Sequence, residues 1–253
     1  MTYCLAMRLQ EGLVFLSDTR TNAGVDNVGT YRKQHVIAAG PRRVFVIESA
    51  GNLATTQEVL DRIARDLETQ GDHESLASVS YLFEAALYLG RISRQVVAEH
   101  QDAMGGIDAT ASFILGGQIE DEAHEILLVY PEGNYIRASD ELPFLQIGET
   151  KYGKFLLEMA SHLNVDPEAA TRIALGSMMS TARANLSVGP PYDLGIYARD
   201  TFEVEEYRIE ADSPVLVALE QTWERQLYAS FAELPSFTRD DLIQSAVPAD
   251  PHG

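Results

Sequence analysis

The chain is poor in cysteine: Cys4 stands alone among 253 residues. An intrachain disulfide is therefore excluded, which suits a reducing compartment. Cys4 lies in an apolar alternating stretch and reads as a packed strand residue rather than a reactive thiol. Long apolar runs are missing too, and nothing approaches the roughly 20 residues of a membrane span. Positive charge is scarce, with 19 Lys and Arg against 38 Asp and Glu, a formal charge of −19. Such a surface repels phosphate backbones and anionic lipid, so neither nucleic acid nor a membrane is an expected partner. Solubility is the simplest consequence. The start, Met1 to Arg8, lacks a basic segment followed by a long apolar one and does not read as a signal peptide. A cytoplasmic protein whose fold begins at its first residues is expected.

Familiar motifs are absent as well. There is no Gly-x-Ser-x-Gly elbow, Walker loop or His-Glu-x-x-His signature. His124-Glu125 has no second histidine at the required spacing. The six histidines are scattered, so no metal or other cofactor is expected.

What is present is 45% hydrophobic residues in patterns that change along the chain. Tyr3, Leu5, Met7 and Leu9 alternate with Thr2, Cys4, Ala6 and Arg8, a strand period. Gln10-Glu11-Gly12 makes a turn into a second strand that ends near Asp18. A polar loop is expected from Asp18 to about Tyr31, broken by Gly24 and Gly29. Strands follow at Val36–Ala39 and Val44–Ile47. Helical spacing appears over Ala54–Leu67 and Leu76–Val97, split at Gln70-Gly71-Asp72. Strand character returns at Ser112–Leu115, Ile126–Tyr130 and Phe144–Ile147. Helices are expected over Lys151–Leu163 and Pro167–Ala184, the second with Asp166 at its cap and Pro167 at its first position. Leu194–Tyr197 and Phe202–Ile209 close the strands, and a last helix runs from Ser213-Pro214 to about Phe231. Strands grouped between pairs of helices are not the alternation of a parallel sheet. The expected fold class is α+β: two antiparallel sheets face to face with helices outside each, a four-layer αββα sandwich. One domain over residues 1–232, C-terminal helix included, and a loose tail over 233–253 are expected.

With other chemistries excluded, Thr2 draws attention. A threonine hydroxyl is a weak nucleophile unless a base takes its proton. At a chain terminus it carries that base itself, as a free α-amine with a reference pKa of roughly 8. Removal of Met1 before a small residue exposes that amine without a propeptide. Alone, Met-Thr is commonplace, but three features lie at suggestive distances from it. Asp18 closes the strand paired with the one that Thr2 opens. Lys33 begins the next strand, where a buried lysine lowers the pKa of a nearby hydroxyl and an aspartate keeps that lysine charged. Ser49-Ala50-Gly51-Asn52 joins a strand to a helix, and the Gly51 amide there is a natural oxyanion donor.

These residues resemble a proteasome β-subunit: Thr2, then Gly12-Leu13-Val14-Phe15-Leu16-Ser17-Asp18-Thr19-Arg20, then Lys33, then Ala50-Gly51. Ile147-Gly148-Glu149-Thr150-Lys151-Tyr152-Gly153-Lys154 and Asn185-Leu186-Ser187-Val188-Gly189-Pro190-Pro191 are similar to the bacterial Anbu branch, relatives of HslV. So is the added C-terminal helix. The resemblance covers roughly residues 2 to 230. It implies an N-terminal-nucleophile hydrolase: Thr2 as nucleophile, its amine as base, Asp18 and Lys33 in support, and Gly51 as oxyanion donor. It implies rings or open helical stacks of identical subunits. Thr21, Asn22 and Gly51 would hold a peptide backbone like an added strand, and Tyr31, Ser49 and Leu53 would line the specificity pocket.

The chain also departs from the proteasome pattern. Glu149 or Thr150 stands where the family carries a serine beside the nucleophile. Asn185 replaces an aspartate, and Val188 or Ser187 takes the place of a second serine. These positions tune the amine's proton. Three functions stay open on sequence alone: a threonine peptidase acting on peptides, an amide hydrolase for one small peptide-like substrate, and a scaffold subunit that retains Met1. No nucleotide-binding motif is present, so any unfoldase would be a separate protein.

Overall fold

The computed structural model describes residues 2–22, 28–69, 71, 73–100, 108–160, 162, 164–239 and 241. Met1, Gly24, Gln70, Asp72, Leu163 and all but the first part of the expected tail lie outside the described residues. The chain divides into two compact units, Met1–Ser213 and Pro214–Gly253.

The first unit is built on two five-stranded antiparallel sheets. The first sheet joins β1 (Tyr3–Arg8), β2 (Gly12–Asp18), β10 (Phe144–Gly148), β11 (Tyr192–Ala198) and β12 (Val204–Ile209) in the order β10-β1-β2-β11-β12. The second runs β5 (Gln34–Ala38), β6 (Arg43–Gly51), β7 (Ala111–Ile119), β8 (Glu125–Val129) and β9 (Tyr135–Arg137) in chain order. The class is α+β.

The strand sequences explain how the sheets are used. β1 and β2 are buried along nearly their whole length, so both of their faces are apolar. Cys4, Ala6, Leu13 and Phe15 of the first sheet share a core with Val44, Val46, Ile114 and Ile126 of the second. Tyr3 alternates with Cys4 and so points the other way. Its hydroxyl meets Ser177 Oγ at 2.7 Å, in α4 (Pro167–Ala184). Phe45, Ile47, Phe113 and Leu115 use the opposite face of the second sheet, packing with Val59 and Ile63 of α1 (Leu53–Glu68) and Leu89 and Ile92 of α2 (Leu82–His100). Asn52 caps α1, its side chain accepting from the Thr55 amide at 3.2 Å. Asp166 caps α4 in the same way through the Ala169 amide, with Pro167 in the first turn.

Several boundaries differ from the sequence expectation, each for a physical reason. The polar loop after Asp18 contains a small hairpin, β3 (Arg20–Asn22) paired with β4 (Val28–Thr30). Its strands are too short and polar to show a period. The second helix begins at Leu82, not Leu76. Leu76 and Val79 are buried in the core by a turn in which Ser78 Oγ accepts from the Ser75 amide and donates to the Ser75 carbonyl, so apolar spacing persists without a helix. The Ser80 and Tyr81 amides then donate to Glu84, which caps the true start. The expected helix from Lys151 is shorter, α3 (Lys154–Ala160). Phe202 lies in a turn before β12, because Asp200 and Phe202 adopt φ of 65° and 57°.

The second unit holds α5 (Pro214–Glu233), with Tyr228, Phe231 and Leu234 exposed. Among the described residues, no helix is long and apolar enough to cross a membrane.

The two sheets meet closely at Gly116 of β7. A Cβ there would sit 2.5 Å from Phe15 Cζ of β2. Gly116→Val is therefore expected to overpack the core and cost about 1–3 kcal/mol. Urea unfolding checks this: Phe15→Leu should recover part of the loss in the double variant, and independent, additive effects would show that the two residues do not touch.

Candidate active site

The site is assembled at the end of the sheets where β1 begins. Thr2 precedes β1 and is half-buried. Its carbonyl accepts from the Glu149 amide at 2.7 Å, which ties it to the turn after β10. That turn needs Gly148, with φ of 85°, because a Cβ there would fall 1.9 Å from the Thr2 carbonyl oxygen. The main chain of Thr2 is thus clamped between its own strand and the Gly148-Glu149 turn.

One residue on, the Tyr3 amide donates to Asp18 Oδ1 at 2.9 Å. Asp18 is fully buried, and Lys33 Nζ donates to the same oxygen at 2.6 Å from a side chain only 4% exposed. Lys33 also donates to the Arg20 carbonyl at 2.7 Å, which anchors it to β3. The Gly189 amide approaches Asp18 Oδ2 at 3.4 Å. Burial pushes the Asp18 carboxyl above its ordinary range, while Lys33 and then the Tyr3 and Gly189 amides pull it back. The lysine's main chain is fixed as well, since its carbonyl accepts from the Ser49 amide of β6 at 3.0 Å.

A second cluster adjoins Thr2 through Glu149. Asn185, which ends α4, donates from Nδ2 to Glu149 Oε2 at 3.0 Å. Its Oδ1 accepts from the Ser187 amide at 3.0 Å. The two departures from the proteasome pattern are therefore partners. Thr150 takes no part in that pairing; its amide donates to the Gly148 carbonyl at 3.1 Å.

Gly51 closes β6 with φ of 123° and would place a Cβ 2.4 Å from the Thr110 carbonyl oxygen, so the chain passes there only as glycine. It lines a cavity of about 230 Å³ with Ala50, Asn52, Asp108 and Thr110. Thr21 pairs with Gly29 and Asn22 with Val28 in the β3–β4 hairpin, and the side chain of Asn22 lies outside what is described. Ser49 is buried in β6, Leu53 is exposed at the start of α1, and Tyr31 lines a separate cleft of about 570 Å³ with His35, Gln57 and Asp61.

Sequence reading missed three contributors. Tyr3 acts through its amide, which no motif marks. Arg20 serves through its carbonyl, and its guanidinium donates to the Leu186 carbonyl at 2.7 Å. Glu48 is fully buried in β6, beside Ser49. Among the described residues, no cluster of three or more His, Cys, Asp or Glu could hold a metal.

No protein-family model matches the chain, and no curated protein matches it. Solved structures do. The chain is similar to Anbu (ancestral β-subunit) from Yersinia bercovieri, with 40% identity and a TM-score of 0.88 over 94% of this chain and 100% of that one. It is similar to Anbu from Hyphomicrobium sp. strain MC1 at 42% identity and a TM-score of 0.85, over 94% and 100%. It is also similar to the Anbu complex of Pseudomonas aeruginosa, described as a helical assembly, at 39% identity and a TM-score of 0.90, over 94% and 99%.

The buried pair carries its own test. Removing one partner of such a pair typically costs about 3–5 kcal/mol, so Lys33→Met should destabilise strongly. The sign with pH follows from the raised Asp18. A carboxyl that holds its proton more tightly folded than unfolded loses stability as pH rises from its unfolded value to its folded one. Without Lys33 that folded value climbs further, so the deficit of Lys33→Met should be small near pH 4 and grow toward neutrality. Urea midpoints measured across pH decide; a deficit that shrinks as pH rises would contradict a buried Asp18–Lys33 pair.

Proposed function

The chain belongs to the Anbu family of ancestral β-subunits, and from that premise we propose that it is a threonine-type peptidase or amidase of the four-layer αββα N-terminal-nucleophile class, working in a self-assembled oligomer. The observation that carries this reading is the Asp18–Lys33 pair bonded to the residue after Thr2. A buried cation costs stability, and it is kept where a nearby hydroxyl must ionise.

In this reading Met1 is removed and the Thr2 α-amine becomes free. Thr2 Oγ1 attacks the carbonyl carbon of a peptide bond, and its proton passes to the amine. Lys33, charged beside Asp18, stabilises the developing alkoxide. The Gly51 amide receives the negative charge on the former carbonyl oxygen. Collapse expels the leaving amine, which takes the proton from the Thr2 ammonium. Water, activated by the same amine, then hydrolyses the ester on Thr2 and restores it.

Glu149 and Asn185 set the tone of that amine. A carboxylate on the turn that clamps Thr2 favours the ammonium form. Asn185 holds the carboxylate with one N–H while its own oxygen is engaged by Ser187. Thr21, Asn22 and Gly51 bind the substrate backbone, and Tyr31, Ser49 and Leu53 meet its side chain, with Thr150 and Ser187 supporting Glu149 and Asn185 beside the Thr2 amine. The P. aeruginosa assembly supports self-association of this chain into rings or helical stacks. The lone cysteine and acidic surface favour a cytoplasmic setting.

A threonine-directed electrophile, such as an epoxyketone, tests the reading. It should label wild type at Thr2 and leave Thr2→Ala unlabelled, while peptide hydrolysis falls by at least on the order of 10³-fold. Glu149→Gln should still be labelled, with its pH–rate profile moved to lower pH because the amine is easier to deprotonate. Equal labelling of wild type and Thr2→Ala would sink the proposal.

A further inference from the structure

The space between the two five-stranded sheets is apolar where Ala6, Phe15, Val44, Val46 and Ile114 meet. Toward the end that carries Asp18 and Lys33 it turns polar. Glu48 of β6 is 0% exposed, and neither of its carboxyl oxygens makes a well-formed hydrogen bond with the described protein. Ser17 Oγ of β2 and Gln34 Oε1 of β5 are buried in the same condition.

Strand register brings these groups together. Gln34 and Glu48 are direct partners across β5 and β6. Glu48 shares its face with Val46 and Val44, both in the inter-sheet core. Ser17 stands opposite Cys4, which lies in that core too. The Glu48 carboxyl faces the Leu16 main chain, one residue from Ser17. Gln34 reaches the first sheet as well: its Nε2 is 2.9 Å from where a Cβ on Gly195 of β11 would lie. Four polar atoms from facing sheets, each left unbonded, would be costlier than apolar replacements. Internal water needs two to four polar partners in a buried polar setting, which this set supplies.

We propose that Glu48, Ser17 and Gln34 form an internal water-binding site between the sheets, adjoining the Asp18–Lys33 pair, in which Glu48 is a neutral acid that keeps its proton and donates a hydrogen bond to the bound water. Ser17 immediately precedes Asp18 and Gln34 immediately follows Lys33. Bonding their side chains through water fixes the two backbone positions from which the ion pair springs. The neutral form also suits the surroundings. Cys4, the close neighbour on β1, senses Glu48, Lys33, Asp18 and Asp193 together, and Tyr3 senses Glu48. An ionised Glu48 would add a further negative charge to the surroundings that Cys4 shares with Asp18 and Asp193. Burial pushes the Glu48 carboxyl well above the carboxylate range, in the same direction.

The site itself does not depend on the hydrolase reading; only its service to the ion pair does. Two measurements on the full-length, assembled protein test it, and neither uses activity. The infrared difference between wild type and Glu48→Gln at neutral pH should show the carbonyl band of one protonated carboxyl per subunit. High-resolution diffraction from wild type should show ordered water bonded to Glu48 and to Ser17 or Gln34, and this readout stands even if the variant fails to fold. A carboxylate band in place of the protonated one, a cation in the site, or Glu48 bonded directly to Lys33 would overturn the proposal. An unlabelled Thr2 combined with the expected band and water would instead leave this site standing and remove the hydrolase.

Discussion

Two opposite charges, Asp18 and Lys33, lie 2.6 Å apart out of reach of solvent, and the architecture around them is organised to make that tolerable. Removing ions from water is expensive unless geometry and extra hydrogen bonds compensate. Compensation arrives from separate parts of the chain: the Tyr3 amide at the start of β1, the Arg20 carbonyl in β3 and the Gly189 amide after α4, while the Ser49 amide in β6 fixes the Lys33 main chain. Each requires its element to end at a particular place. The chain has three lysines, and the other two, Lys151 and Lys154, are exposed. A lysine buried in so acidic a protein marks a site where positive charge is needed.

Thr2 is placed by the same economy of contacts. Its carbonyl is held by Glu149 and its successor's amide by Asp18, so the residue enters β1 in a fixed direction. The strand carries on as a sheet member paired on both sides, with β2 and β10. Rigidity at the first residues of a chain is unusual, since termini fray unless tied down. A nucleophile that uses its own terminal amine as base depends on that rigidity, because hydroxyl and base belong to one residue. The Glu149–Asn185 pair lies on the same turn and distinguishes this site from a proteasome pattern that places a serine and an aspartate there.

The sequence made much of this legible, for identifiable reasons. β1, β2, β6, β7, α1 and α4 carry strong periods or caps, and their order already implied two antiparallel sheets rather than a parallel one. Asp18 and Lys33 were visible because each sits at an element boundary near Thr2. What was hidden is what spacing cannot encode. The β3–β4 hairpin is short and polar, Leu76 and Val79 mimic a helix while plugging a core, and Asn185 meets Glu149 across 36 positions. Glu48 sits in a run, Val44 to Ile47 and onward, that reads as plain strand. Only the facing sheet reveals that neither of its carboxyl oxygens makes a well-formed hydrogen bond with the described protein. The pocket residues Tyr31, Ser49 and Leu53 were inferred from resemblance and not from spacing.

The central claim is that the base is the amine of Thr2, and that amine exists only if Met1 is gone. Intact mass of the native protein, followed by N-terminal sequencing, measures this directly. The account predicts a chain lighter by one methionine that begins Thr-Tyr-Cys. A catalytically active preparation that retains Met1 on every subunit would contradict it, because an acylated amine cannot take the proton from Thr2.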